Sequence, residues 1–288
     1  DEVVLNVRDA GKTLVQVTDN GSGMSPADAK MAFERHATSK IAAVDDLFSL
    51  QSYGFRGEAL ASIAAVAQVQ LKTRRPEDEV GTQLELAGGR LSSQEPCQLP
   101  PGTVLSVRNL FFNVPARRNF LKSDAAEMRH ILAEFVHLAL ARPELRLKLV
   151  RDGHEHYNLL PASLGERLRE LYPALKPPDL LPVDIQEDDL RFTGYVAVPE
   201  QATRRRADTY VFVNHRFIRS PYLHSAVQRV FEPLLPEGHH PLYALHLSIP
   251  PQRVDINIHP TKTEVAFENQ SAVYQLLSRG VRDALARQ

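Results

Sequence analysis

Thr13-Leu14-Val15-Gln16-Val17-Thr18-Asp19-Asn20-Gly21-Ser22-Gly23-Met24-Ser25-Pro26-Ala27-Asp28 is the stretch on which the fold turns. Residues 13–18 are rich in Val and Thr and read as a strand. The run stops at Asp19 and a glycine-bearing loop. Ser25 then supplies a capping hydroxyl, Pro26 suits the first helical position and Asp28 places an acid in the first turn, so a helix is expected to continue through Ala29 to Glu34. Upstream, Val3 to Val7 forms a second β-rich run across the turn Arg8-Asp9-Ala10-Gly11-Lys12, and the pair is expected to be a hairpin. Downstream, a short helix is expected from Gly57-Glu58 through Ile63. Strands are expected at Val66 to Thr73, Thr82 to Ala87 and Thr103 to Val107, and Asp124 with Glu127 marks the start of a long helix ending near Ala141.

Ser163-x-x-Glu166 opens another helix reaching Tyr172. The proline-rich segment Pro173 to Pro182 follows, and the domain boundary is expected there, giving 1–180 and 181–288. The second part has its own alternation: strands at Arg191 to Val198, Thr209 to Asn214, Leu242 to Ile249 and Thr263 to Phe267, with helices at Tyr222 to Leu235 and Ala272 to Ala286. That is an α+β pattern. The chain has 288 residues, 34 basic and 35 acidic, and a net charge of −1, which excludes a bulk polycation. Residues 184–288 hold 12 basic and 12 acidic side chains, so the charge is balanced within each part. At 43% hydrophobic and 24% charged residues the composition suits a folded chain of this size. No stretch approaches the roughly 20 apolar residues of a membrane span. Cys97 is the single cysteine, which excludes an intramolecular disulfide and fits a reducing compartment. Residue 1 is Asp and already sits at a strand, so an upstream portion is expected.

Two patterns are discounted on context. Gly11-Lys12-Thr13 resembles the end of a phosphate-binding P-loop, but Asn6 stands where the pattern requires glycine and the segment is a hairpin turn. His154-Glu155-His156 lacks helical zinc-ligand spacing, and His239-His240 lies in a Pro/Gly loop. Asp19-Asn20-Gly21-Ser22-Gly23 carries more. A carboxylate delivered by a strand to a loop of two glycines can accept a hydrogen bond from an exocyclic amine such as adenine N6. An ordinary Asn-Gly turn would look the same, and a D-x-G-x-G match arises by chance in about one chain of ten this size. Gly54-Phe55-Arg56-Gly57-Glu58-Ala59-Leu60 places two glycines before a helix start, where unpaired N–H groups can bind phosphate. A flexible lead-in to a helix fits those residues as well.

Taken together, Asp19 to Met24, Arg35-His36-Ala37-Thr38-Ser39-Lys40-Ile41, Gly54 to Ile63 and Asn113-x-Pro115-Ala116-Arg117-Arg118-x-Phe120-Leu121 resemble the N-terminal ATPase of the MutL mismatch-repair family, in order and in spacing. Val254-Asp255-Ile256-Asn257-Ile258-His259-Pro260-Thr261-Lys262-Thr263-Glu264-Val265 is similar to that family's second-domain signature. The resemblance implies a two-layer antiparallel sheet with helices on one face (the GHKL, or Bergerat, ATPase fold), followed by an α+β domain like the second domain of ribosomal protein S5. It implies ATP and Mg²⁺ as ligands. Asp19 would bind the adenine amine, Gly23 and Met24 would shape the base pocket, and Thr103 would support that contact. Gly54, Phe55, Arg56, Gly57, Glu58, Ala59 and Leu60 would form the hinge and phosphate-binding part of a lid, with Thr38 and Lys40 in the lid region. Lys262 would reach the γ-phosphate as a catalytic residue.

The same resemblance implies that the Glu activating the attacking water and the Asn holding Mg²⁺ lie on a helix upstream of Asp1. A slow ATPase is expected when that helix is present, and an inactive fragment without it. ATP-dependent dimerisation would signal to repair partners, a MutS-type mismatch-recognition protein and a downstream nuclease or helicase. Location would be cytoplasmic in a bacterium and nuclear in a eukaryote. Arg204, Arg205 and Arg206 form a basic loop, and Arg216 and Arg219 flank Phe217-Ile218, so sequence-independent DNA contact is expected through a few placed arginines. Two alternatives stand: a gyrase-like or Hsp90-like ATPase, which shares the D-x-G-x-G loop but not the longer segments, and a partner-binding scaffold that does not use nucleotide.

Overall fold

The computed structural model describes residues 1–34, 58–204, 208–255 and 265–287. By packing these divide into two units, one holding 1–34, 58–136 and 144–161, the other 137–143, 162–204, 208–255 and 265–287.

The first unit is built on strands β1 (Glu2–Arg8), β2 (Leu14–Asp19), β3 (Gln68–Arg74), β4 (Gly81–Ala87), β5 (Arg90–Cys97), β6 (Gly102–Arg108), β7 (Arg146–Arg151) and β8 (His154–Leu159), ordered β5-β4-β3-β6-β2-β1-β7-β8 in one sheet. Every neighbouring pair is antiparallel except β1 with β7. Register produces a two-faced sheet, because side chains alternate with period two. Leu149, Leu5, Val17, Leu105, Leu71 and Leu84 stand side by side across six strands. One step along, Asn6, Gln16, Ser106, Gln70 and Glu85 form a polar row on the other face, where Gln16 Nε2 donates to Ser106 Oγ at 2.8 Å and Gln70 Nε2 to Glu85 Oε1 at 3.0 Å.

Helices cover the apolar face. Ala29 of α1 (Pro26–Met31) and Ala64 of α2 (Ala59–Val66) are buried against Val69, Leu71, Leu84 and Leu86. A short α3 (Pro115–Asn119) leads to α4 (Asp124–Ala141), whose Phe135 stacks on Tyr157 of β8 at 5.5 Å. Sequence reasoning placed the α4 cap one residue late. The Ser123 carbonyl accepts from Ala126 and Glu127 N–H, whereas Asp124 pairs with Lys12 Nζ at 2.6 Å. Lys12 therefore belongs to a hairpin turn, closed by Lys12 N–H donating to Asp9 O at 3.0 Å. The expected strand at Val66 begins at Gln68, because α2 runs three residues beyond Ile63.

The second unit begins with α5 (Leu164–Leu171). Its capping box is complete: Ser163 Oγ accepts from Glu166 N–H at 3.3 Å and Glu166 Oε2 accepts from Ser163 N–H at 2.8 Å. Its sheet has the order β12-β11-β13-β10-β9, formed by β9 (Leu180–Glu187), β10 (Leu190–Ala197), β11 (Thr209–Val213), β12 (Arg216–Ile218) and β13 (Tyr243–Ser248). Helices α6 (Pro221–Phe231) and α7 (Gln270–Ala286) bury Leu223, Phe231, Leu276 and Val281 in a core shared with Phe192, Val213 and Leu245. The two-residue strands β14 (Val254–Asp255) and β15 (Ala266–Phe267) pair separately.

Residues 162–180 pack with this second unit through polar contacts. The phenol of Tyr172 donates to Asp208 Oδ1 at 2.9 Å and lies 2.7 Å from the Tyr210 hydroxyl, and burial pushes its pKa far up. Arg167 is fully buried, and its guanidinium donates to Glu170 Oε2 and to the Pro143 carbonyl, each at 2.8 Å. Removing that guanidinium leaves the Pro143 carbonyl with Ala162 N–H alone, at 3.0 Å, and Glu170, itself partly exposed, without its cation, while opening a cavity where a fully buried side chain stood. Arg167→Ala is expected to lower the unfolding free energy by about 2–3 kcal/mol in urea titration; a loss under about 1 kcal/mol would contradict a structural role for the pair.

Candidate functional site

The helix-covered face of the first sheet changes character at one end. Two residues beyond Val17, Leu105, Leu71 and Leu84 toward that end, the same rows carry Asp19, Thr103, Thr73 and Thr82. A period of two keeps all four on the face that is apolar elsewhere. One carboxylate and three hydroxyls thus line up where the core meets the loop after β2.

Thr73, fully buried, organises this row. Its Oγ1 accepts from Met24 N–H at 2.9 Å, lies 3.1 Å from Thr103 Oγ1, and is 3.2 Å from the Gly102 carbonyl. The glycine loop can reach it only because the backbones nearly touch. A Cβ on Gly23, at φ +64°, would sit 2.0 Å from Arg74 O, and one on Gly102, at φ +130°, would sit 2.1 Å from Asp19 O. No side chain fits at either place. Asp19 Oδ1 accepts from Gly21 N–H at 2.9 Å, which fixes the carboxylate, and Oδ2 has no hydrogen-bond partner among the described residues. An acceptor held in place with a lone-pair face to spare is suited to a ligand N–H.

The strand turn beside Gly23 is rigid. Arg74 donates to the carbonyls of Leu99 and Asp78 at 2.7 Å each, and Arg75 makes a two-pronged contact with Asp78 at 2.9 Å, which holds the Asp78 carboxyl below the usual carboxylate range. Met24, Phe33, Ile63, Leu105 and Leu110 pack around the buried cluster beneath the loop. Helix α2 joins that cluster through Ile63 and Ala64. Among the described residues its first helical bond is Ser62 N–H to Glu58 O at 2.9 Å, and the N–H groups of Ala59, Leu60 and Ala61 have no helical acceptor among them. Glu58 occupies the capping position but makes no side-chain cap.

The structure therefore brings Asp19, Gly23, Met24 and Thr103 together, and places Glu58, Ala59 and Leu60 at the start of a helix packed on the same core. Thr38, Lys40, Gly54, Phe55, Arg56, Gly57, Arg205, Arg206 and Lys262 lie outside the described residues. In the second unit Arg204 and Arg219 are exposed, and Arg216 is half-buried on β12 opposite Val213. Among the described residues no cluster of three or more His, Cys, Asp or Glu is placed to hold a metal ion. No described helix is long and apolar enough to cross a membrane. Thr73 and Thr82 escaped sequence reasoning. Their signal is a threonine in phase with buried Val69, Leu71 and Leu84, a polar group spaced as if it belonged to the core.

The family described as DNA mismatch repair protein, C-terminal domain, matches residues 171–286. A DNA mismatch repair protein MutL of Porphyromonas gingivalis is 48% identical over 282 residues, covering 98% of this chain and 46% of that protein. The chain spans a little under half the length of such relatives. Among solved structures, an Aquifex aeolicus MutL ATPase domain complexed with ADP aligns with a TM-score of 0.65 at 25% identity, covering 96% of this chain and 89% of that one. The N-terminal domain of a DNA repair protein aligns with a TM-score of 0.81 at 21% identity, covering all of this chain and 89% of that one, and so shares the fold.

Replacing the Thr73 hydroxyl with a methyl group leaves Met24 N–H without its acceptor inside the core. Thr73→Val should destabilise the first unit by about 1–3 kcal/mol in urea titration. A stability equal to wild type would show that the hydroxyl is not needed to seat the loop.

Proposed function

Because the chain belongs to the MutL family of DNA mismatch-repair proteins, we propose that it is that family's nucleotide-responsive region, an ATP-binding and slowly hydrolysing switch. The observation that carries this reading is the pinned Asp19 carboxylate, its Oδ2 without a partner among the described residues, at the polar end of an otherwise apolar face. Asp19 accepts the adenine amino group through Oδ2, Thr103 and Thr73 hold the strand ends in place, and Gly23 and Met24 shape the base pocket. The N–H groups of Ala59, Leu60 and Ala61 receive phosphate oxygens, aided by the positive end of the α2 dipole.

In this reading the segment containing Thr38, Lys40, Gly54, Phe55, Arg56 and Gly57 closes over the nucleotide. Lys262 places an ammonium at the terminal phosphate, where it distinguishes ATP from ADP and offsets charge that develops in phosphoryl transfer. Mg²⁺, when bound, would neutralise the phosphates. Hydrolysis further requires a base to activate water, and none of the residues assembled here is assigned that role. Pairing of two ATP-bound regions would then carry the nucleotide state to a mismatch-recognition protein and to a nuclease or helicase. Arg204, Arg205, Arg206, Arg216 and Arg219 would supply local phosphate contacts to DNA of any sequence.

Two experiments on the full-length protein bear on this. Asp19→Ala is expected to weaken ADP binding by about a hundredfold, the cost of losing a pinned acceptor facing a polar ligand group, and Lys262→Ala to reduce ATP turnover. Wild-type behaviour of both variants would overturn the assignment. Removing charge at Arg204, Arg205 and Arg206 should weaken DNA binding and flatten its salt dependence by about 0.9 in log–log slope for each phosphate no longer neutralised. An unchanged slope would place DNA contact elsewhere.

A further inference from the structure

The segment Asn113-x-Pro115-Ala116-Arg117-Arg118-x-Phe120 has no part in the site described above, yet the loop that leads into it is strained. Asn109 and Phe111 both adopt left-handed backbone conformations, at φ +51° and +61°. For a bulky aromatic such a conformation is an outlier, and a residue of this kind costs roughly 1–3 kcal/mol unless its surroundings enforce it.

The strain delivers hydrogen bonds to one place, the C-terminal end of α2. The last carbonyls of a helix have no partner within it. Here Val66 O accepts from Phe111 N–H at 2.7 Å, Ala65 O from the Asn113 side-chain amide at 2.9 Å, and Ala64 O from Gly89 N–H at 2.7 Å. Three successive carbonyls are thus held by two separate segments, the 109–113 loop and the β4–β5 turn. The same loop is tied at its other side to the first hairpin, with Asn109 N–H donating to Thr13 O and Leu110 N–H to Lys12 O, each at 3.1 Å, while the Asn109 side chain donates to Gln68 Oε1 at 2.8 Å. It also continues directly from β6, whose opposite end carries Thr103.

We propose that Asn113 is a positioning residue for nucleotide binding: with the strained turn at Asn109 to Phe111 it fixes α2 on the sheet from the far end, and so sets how well the N–H groups of Ala59, Leu60 and Ala61 meet the phosphates. Asn113 itself touches no nucleotide. A helix of eight residues is only about two turns long, so a constraint on its last carbonyls bears on the orientation of its first N–H groups. The proposal rests on α2 being the phosphate-binding helix. Its distinguishing consequence is that loosening the anchor affects the phosphate half of the ligand and spares the base, which Asp19 reads from a different element.

The test compares ADP with adenosine on the full-length protein, ADP by calorimetry and adenosine by ligand-detected NMR, for wild type, Asn113→Ala and the isosteric Asn113→Asp. Asp keeps the volume but sets an acceptor against Ala65 O, whereas Ala at this exposed position removes the hydrogen bond without adding repulsion, so the milder variant keeps the test open if Asn113→Asp is not tolerated. The expected result is an ADP affinity reduced about three- to tenfold, more in Asn113→Asp than in Asn113→Ala, with adenosine affinity unchanged. Equal weakening of ADP and adenosine would mean general loosening of the fold and would overturn a positioning role. Wild-type affinity for ADP in both variants would overturn it too. If the wild-type protein bound neither ligand, the nucleotide reading itself would fail, and the role of Asn113 with it.

Discussion

Two backbone crossings, Gly23 over Arg74 O and Gly102 over Asp19 O, are the constraint on which the rest of the first unit depends. At a virtual Cβ distance near 2 Å neither place admits a side chain. Closing these gaps lets the glycine loop lie flat on the strand ends, so that Met24 N–H reaches the buried Thr73 hydroxyl and Asp19 is held by Gly21 N–H. A carboxylate at a strand end would otherwise turn to water and lose its direction. The crossings thus convert a flexible turn into a fixed acceptor, with the orientational loss met during folding and not at binding.

The sheet supplies the other half of the constraint. An apolar face covered by helices demands apolar residues along each row, and the six-strand row from Leu149 to Leu84 meets that demand. At the loop end the demand lapses, because Asp19, Thr103 and Thr73 bond to one another's strands or to the loop. A polar row continuing an apolar face is costly unless its groups find partners. Here three of them do so, with one oxygen of Asp19 left without a partner among the described residues, and the nucleotide-binding proposal is built on that remainder.

Much of this was legible in the sequence. The β2 strand, the Asp19 loop and the Ser25 cap follow from spacing alone, and Asp28 N–H does donate to Ser25 Oγ at 3.1 Å. So does the Ser163 and Glu166 capping box. What escaped was of two kinds. Strands β5, β8 and β9 are sheet edges, and their sequences are polar or carry Pro96 and Pro182; an edge strand tolerates the missing N–H that disqualifies proline from a sheet interior, so the sequence looks like loop, whereas the interior strand β7 escaped because its Arg146-Leu147-Lys148-Leu149 alternation is short and heavily charged. Long-range polar partners were the second kind. Nothing local in the sequence indicates that Arg167 meets the Pro143 carbonyl, that Thr73 accepts from Met24, or that Asn113 bonds the end of α2 48 residues earlier.

In the function proposed for this chain, Asp19 accepts the amino group at position 6 of adenine. Guanine presents a carbonyl oxygen where adenine presents that amine, and a carboxylate facing it would meet another acceptor. Titrating the full-length protein with ADP and with GDP under the same conditions tests this most directly. ADP should bind at least about a hundredfold more tightly, as expected for a site built to hydrogen-bond one polar group and presented with its opposite. Equal affinity for GDP would contradict the account, whatever the protein's activity toward ATP.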